Sequence, residues 1–225
     1  NVERLAASKG VQILNAKAEV SPVVEKAIIH VNGGGVVKKE KFLPSGQGKA
    51  CQDIVLIGYV GLEGTFRAVR ARAEELSKRF VPSFINGINQ LEEKLIIDKP
   101  IALAHEIGAS AMQQIKSGGI LGTLWEMADA SGVGLEVDIK KMSIRQETIE
   151  ICEFCHLNPY QLTSAGSALV FTERGEELVE KCMEQGICAS ILGRTTDLTE
   201  RVILGGEEKR FLDKPAMDEL LKLFE

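Results

Sequence analysis

The sequence predicts an α+β fold, and three observations carry that prediction. Short apolar runs such as "IVLIGYVG" and "SALVFT" are bounded by glycine or polar turns, as strands are. Longer stretches such as "TFRAVRARAEELSKRF" and "ERGEELVEKCMEQG" repeat apolar residues every three or four positions, as helices do. The two kinds of segment do not alternate strictly, which favours α+β layers over a doubly wound parallel sheet.

In chain order, "VERLAASKG" reads as a helix stopped by Gly10, and "VQIL" and "KAIIHVNGGGVV" read as strands broken by turns. Lys38, Lys39, Glu40 and Lys41 then form a solvated edge, and the polar stretch "GQGKACQD" marks a domain boundary, giving 1–46 and 47–225. "IVLIGYVGLEG" is a buried strand entering a glycine turn, with Thr65 as the cap of the helix that follows. Helical spacing continues through "INGINQLEEKLIIDK", which Pro100 stops, and through "IALAHEIGASAMQQI". In "ILGTLWEMADASG" the stripe Ile120, Leu121, Leu124, Trp125 and Ala128 points inward, and Gly132 ends the helix. "GLEVDI" alternates as a strand does, and "SIRQETIEICEFCHL" is helical. "SALVFT" is a strand and "ERGEELVEKCMEQG" a helix; "CASILGRTTD", "RVILGG" and "KRFLDKP" supply short strands and turns, and "AMDELLKLF" a closing helix.

Composition excludes several function classes. A formal net charge of −5 provides no basic field, so nucleic acid and anionic membranes are not expected partners. No apolar run reaches the roughly 18 residues of a membrane span, and "NVERLAASKG" has no signal-peptide core, so the expected location is cytoplasmic. Five cysteines, an odd number in a core-rich chain, fit reduced thiols rather than a disulfide framework. The first residue is asparagine, so upstream residues are expected.

Four motifs bear on chemistry. Ser117-Gly118-Gly119 precedes a helix, where a serine cap and two glycines let an anion approach backbone N–H groups; an ordinary capped turn has the same pattern. Gly58, Gly61 and Gly64 follow a strand, but G-x-x-G-x-x-G is not the dinucleotide spacing and no Walker lysine follows, so tight strand-to-helix packing explains them as well. Cys152-Glu153-Phe154-Cys155-His156 has haem-attachment spacing inside a helical pattern, where buried small hydrophobes are the better reading. His30, His105 and His156 show no metal-binding spacing, and Glu126, Asp129, Glu147 and Glu150 fit a solvated face better than an acid/base pair. No metal site and no catalytic residue is assigned on these grounds.

With these residues in hand, the chain resembles the aminoimidazole ribonucleotide (AIR) synthase superfamily, most closely its hydrogenase expression/formation protein E branch. The likeness runs in order through "AEVSPVV", "QDIVLIGYVGLEGT", "SGGILGTLWEMADASGVGLEVDIKKMSIRQETIEICEF", "LNPYQLTSAGSALVF" and "RFLDKPAMDEL". The resemblance implies an amino-terminal, ATP- and Mg²⁺-binding, dimerising domain, of which residues 1–46 are the last part, and a carboxy-terminal α/β layered domain at 47–225. It also implies ATP and Mg²⁺ as cofactors, with Glu19, Gly61, Gly64, Lys116, Ser117, Gly118 and Gly119 facing the ligand.

Three departures from the family pattern qualify that implication. Where the family has G-G-H-T-E, this chain has Asn15-Ala16-Lys17-Ala18-Glu19, keeping only the glutamate. Where the family has H-D-V-T-E-G-G, it has Gln113-Gln114-Ile115-Lys116-Ser117-Gly118-Gly119, so the glycines survive and the titratable pair does not. The branch's carboxy-terminal cysteine, its carbamoyl carrier, is matched by an end reading Leu223-Phe224-Glu225. Two readings follow. One is ATP-dependent small-molecule activation weakened or lost; the other is a non-catalytic binding or assembly module. A homodimer is expected from the resemblance, with "AIIHV" and "GGVVK" as intersubunit strands, and a paralogue or maturation protein as a further partner.

Overall fold

The computed structural model describes residues 2–25 and 27–224. The chain divides into two units, Asn1–Val37 and Lys38–Glu225. In the first, α1 (Val2–Ser8) ends where Gly10 takes a left-handed φ of 67°. The strands expected in "VQIL" and "KAIIHVNGGGVV" do not form among the described residues; Lys26 lies outside them. The apolar side chains there are exposed, Ile28 by 79% and Ile29 by 84%. A strand needs a neighbour to take its N–H and C=O groups, and no described segment of this unit offers a ladder.

The second unit is built on a seven-stranded sheet. Its elements are β1 (Asp53–Ile57), α2 (Leu62–Ala71), α3 (Ala73–Arg79), α4 (Pro82–Asn89), α5 (Asp98–Glu106), β2 (Ala111–Gln114), α6 (Gly119–Ser131), β3 (Gly134–Asp138), α7 (Gln146–Cys155), β4 (Ala168–Thr172), α8 (Gly175–Glu184), β5 (Ala189–Thr196), β6 (Arg201–Gly205) and β7 (Glu208–Phe211). The order is β2-β4-β1-β5-β3-β6-β7, antiparallel throughout except for the parallel pair β3 and β6. This mixed topology is the α+β architecture expected from the unalternated pattern. β1 and β4 lie side by side in it and are buried along their whole length, which explains why both read as unbroken apolar runs.

Two apolar layers hold the sheet. On one face Ile120, Leu124 and Met127 of α6 pack on Ile54, Leu135, Val137 and Phe171. On the other, Leu103 of α5 and Leu178 and Cys182 of α8 pack on Val55, Ile57 and Val170. Each fully buried Leu, Ile or Phe contributes about 1.5–3 kcal/mol relative to exposure. A third cluster joins Leu62 and Phe66 of α2 with Ile151 of α7, Leu162, Leu220 and Leu223. Of the inward stripe of α6, Ile120, Leu124 and Ala128 are at 0% exposure, while Leu121 and Trp125 are partly buried at its margin. Gly132 ends that helix at φ 67°.

Several local expectations need correction. Thr65 does not cap α2: Gly61 holds the N-cap position, and the Thr65 hydroxyl donates back to the Gly61 carbonyl one turn earlier. Pro100 does not stop a helix; it stands in the first turn of α5, where its missing N–H costs nothing. The helical reading of "IALAHEIGASAMQQI" holds only to Glu106, since residues 111–114 form β2 against β4. The closing helix is a single 3₁₀ segment, Glu219–Phe224.

Candidate ligand cleft at the start of α6

The connection from β2 to α6 is shaped by two glycines. Ile115 is fully buried and its amide donates to the Ser167 carbonyl at 3.0 Å, which anchors the strand end. Lys116 and Ser117 follow, both exposed. Gly118 caps the helix at φ 84° and Gly119 continues at φ 66°, both in the left-handed region that favours glycine. At Gly119 a Cβ would lie 2.4 Å from the Tyr160 carbonyl oxygen, so no other residue fits.

The serine expected to cap α6 does not do so. Instead the Asp218 carboxylate accepts the Gly118 amide at 2.9 Å through Oδ2, and the Leu220 amide at 2.9 Å through Oδ1. Asp218 is only 8% exposed. A carboxylate at a helix N-terminus is favoured by the dipole and by the unpaired amides. The anion that the glycine turn is shaped to accept is therefore supplied, at Gly118, by the chain itself.

Beside this turn lies an open cleft of about 400 Å³. Lys116, Ser117, Asp218 and Leu221 line it together with Glu63 and Arg67 of α2 and with Thr163 and Ala165. Glu63 accepts from the Thr163 hydroxyl at 2.8 Å, the Ala165 amide at 3.0 Å and the Arg67 guanidinium at 2.5 Å. Burial alone raises its pKa, but these donors outweigh it and leave the carboxyl below its usual range. Glu63 is thus a weaker base than an ordinary glutamate. Of the ionisable side chains lining the cleft, Lys116 alone makes no hydrogen bond among the described residues, while the Arg67 guanidinium is paired with Glu63.

The sequence-predicted residues separate into three groups. Lys116 and Ser117 line the cleft, whereas Gly118 and Gly119 are buried outside its lining, their amides donating to Asp218 and to the Lys116 carbonyl. Gly61 and Gly64 are buried in packing: Gly61 donates to the Ser164 hydroxyl at 2.7 Å and Gly64 to the Thr163 carbonyl at 3.0 Å. A Cβ on Gly64 would lie 2.2 Å from the Leu162 side chain. Glu19 belongs to the first unit, where it is exposed and ion-paired with Lys17. Gln113 donates to Glu126 at 2.7 Å on β2, which is an edge strand of the sheet. Glu63, Arg67, Thr163 and Asp218 were not singled out from sequence. The i,i+4 spacing of Glu63 and Arg67 was the one readable signal, while Asp218 stands 100 residues from its partner Gly118.

The cleft fits an oxyanion better than a metal ion. Both its carboxylates already accept backbone or hydroxyl donors, and among the described residues no group of three or more His, Cys, Asp or Glu is arranged to hold a metal. Cys152 is buried at the end of α7 and burial pushes its thiol up to about 12, in keeping with a small core hydrophobe. Glu147 pairs with Arg145, Asp129 with Arg201 and Glu150 with Gln146, so none of them stands poised as an acid or base.

Comparison with known proteins places the chain in a family. Residues 52–205 match the family described as AIR synthase related protein, C-terminal domain. The chain is 27% identical over 188 residues to the PurL subunit of phosphoribosylformylglycinamidine synthase from Sulfolobus acidocaldarius, covering 82% of this chain and 25% of that protein. It is 26% identical over 215 residues to a putative hydrogenase expression/formation protein of Methanocaldococcus jannaschii, covering 92% and 61%. The chain thus spans a quarter to about three-fifths of the length of these relatives. Among solved structures it is similar to the hydrogenase maturation protein HypE in complex with ATP, with a TM-score of 0.56, 15% identity and coverage of 80% of this chain and 55% of that one. That likeness is one of fold. With a family match over more than half its length, the chain belongs to the AIR synthase-related proteins and carries their C-terminal domain.

Proposed function

We propose that this chain binds a phosphate-bearing small molecule, with ATP the first candidate, through the cleft at Lys116 and Ser117, and that it does so without proton-transfer chemistry of its own. The observation that carries this reading is the pairing of exposed Lys116, Ser117 and Arg67 at one opening whose two carboxylates, Glu63 and Asp218, are both committed to structural hydrogen bonds. Two cations and a hydroxyl favour an oxyanion through charge-assisted hydrogen bonds, the Gly118 amide being already taken by Asp218. A carboxylate acting as general base must be free to take a proton, and both carboxylates of the cleft are held by donors. The HypE structure in complex with ATP supports the choice of nucleotide as first probe. Mg²⁺, if required, enters with the nucleotide, since the cleft's own oxygens are occupied.

On this reading the activity ancestral to the family is weakened or lost in these 225 residues, and the protein acts as a binding module that dimerises or pairs with an active relative. Calorimetric titration with Mg²⁺-ATP and with inorganic phosphate tests it. Saturable binding that Lys116→Ala weakens about tenfold is expected, an exposed charge-assisted contact being worth roughly 1–1.5 kcal/mol. ATP turnover by the chain would overturn the non-catalytic part, and absence of binding by either ligand would overturn the whole.

A further inference from the structure

The two long sides of α8 are treated differently. On one, Glu177 is paired with Arg174, and Lys181 with Glu106 of α5. On the other, Glu176, Glu180 and Glu184 follow one another at intervals of four residues and make no hydrogen bond or ion pair among the described residues. Four residues of helix rise about 6 Å, so the three carboxylates form one line. Beside them Val179, Met183 and Ile191 of β5 floor an open groove of about 480 Å³, and Met183 is 67% exposed.

The sheet face next to this groove continues the pattern. Ile191 shares the α5 and α8 side of the sheet with Val55 and Ile57. Across it, Arg194, Glu136, Val202 and Phe211 lie in one cross-strand row through β5, β3, β6 and β7. Leu135 and Val137 point to α6, so Glu136 and its row point away from α6. Phe211 on that row is 64% exposed and Glu136 is exposed, while Arg194 is already paired with Asp53. Val202 is buried at 4% exposure, so on this row Phe211 and Glu136 are the apolar and the acidic side chains open to a partner.

We infer that this groove docks a cationic amphipathic helix of a partner protein, its apolar stripe on Val179, Met183 and Ile191 and its Lys or Arg side chains on Glu176, Glu180 and Glu184. Charge complementarity selects a basic occupant, since an acidic one would face three unpaired carboxylates. The geometry selects a helix: β5 is an interior strand hydrogen-bonded on both sides to β1 and β3, so no backbone edge is open to an added strand, and recognition falls to side chains.

The test uses the whole chain and two synthetic 18-residue helical peptides, each with a leucine stripe, one carrying lysine and the other glutamate on its polar face. Methyl resonances of the methionines report the place of binding, and Glu180→Lys, at an exposed position, reports the charge. The lysine peptide is expected to bind saturably, to shift the Met183 methyl signal, to lose about tenfold or more in affinity in Glu180→Lys, and to weaken with salt. The glutamate peptide is expected not to bind. Absence of binding, a Met183 signal unmoved at saturation, equal affinity in Glu180→Lys, or equal binding of both peptides would each overturn the inference.

Discussion

Two strand-to-helix turns in this chain share a glycine-rich design and differ in what closes over them. At the β1–α2 turn, Gly61 and Gly64 are buried under Leu162 and hydrogen-bonded to Ser164 and Thr163. At the β2–α6 turn, Gly118 and Gly119 are likewise buried, but the residues just before them, Lys116 and Ser117, stand at an open cleft. In both turns a side chain from elsewhere in the sequence accepts the capping amide, a hydroxyl in the first and a carboxylate in the second. The lesson is that glycine before a helix makes backbone available, and distant residues decide whether a ligand or the protein itself uses it.

The comparison can be broken most forcefully at Gly119. Gly119→Ala must hold a left-handed φ and move the Tyr160 carbonyl, so a loss of about 3 kcal/mol is expected in denaturant unfolding, from strain and overpacking together. Gly118→Ala, whose Cβ meets nothing nearer than the Ala216 carbonyl oxygen at 3.4 Å, should cost about 1–2 kcal/mol, so the pair separates collision from strain. Second in size to Gly119→Ala is Asp218→Ala, which leaves the Gly118 and Leu220 amides without their acceptor. About 2 kcal/mol is expected in the same assay. A loss below about 0.5 kcal/mol would show that water replaces the carboxylate, making the second turn far more open than the first.

A smaller effect separates the turns by pH. Glu63 ties the first turn to Thr163 and Ala165, and its carboxyl is held below the usual range. A depressed folded pKa gives stability that is present above the unfolded value, about 4.3, and is lost as pH falls through the folded value. Stability measured from pH 6 down to pH 3 should therefore fall less steeply in Glu63→Gln than in the native chain. Smallest of all is Lys116→Ala, expected to change stability by less than about 0.5 kcal/mol, because the side chain is exposed and makes no hydrogen bond. Its effect should appear only in phosphate binding.

Local chemistry accounts for what was legible in the sequence. Residues of α6 announced both the inward stripe and the Gly132 stop, because period and cap are written within a few positions of each other. The buried strands β1 and β4 were equally plain. Residues 111–114 read as helix in the sequence because "AMQQ" has no strand propensity of its own and takes its conformation from pairing with β4. The strands read in residues 11–37 failed for the opposite reason, strand propensity without a ladder. At the cleft, Lys116 and Ser117 could be named from the glycine motif, whereas Asp218 and Thr163 reach it only through tertiary contacts across about 100 residues.

The place of β1 in the sheet has a kinetic consequence. This strand comes first in the sheet yet lies between β4 and β5, and its Asp53 finds Arg194 only 141 residues later. Ribosomal synthesis must therefore release most of the domain before the central pairing can form, and the loop-closure entropy is met before any reward from that pairing. Until then an apolar strand waits unpaired, so slow refolding and a strong dependence of recovery on protein concentration are built into the order of the strands.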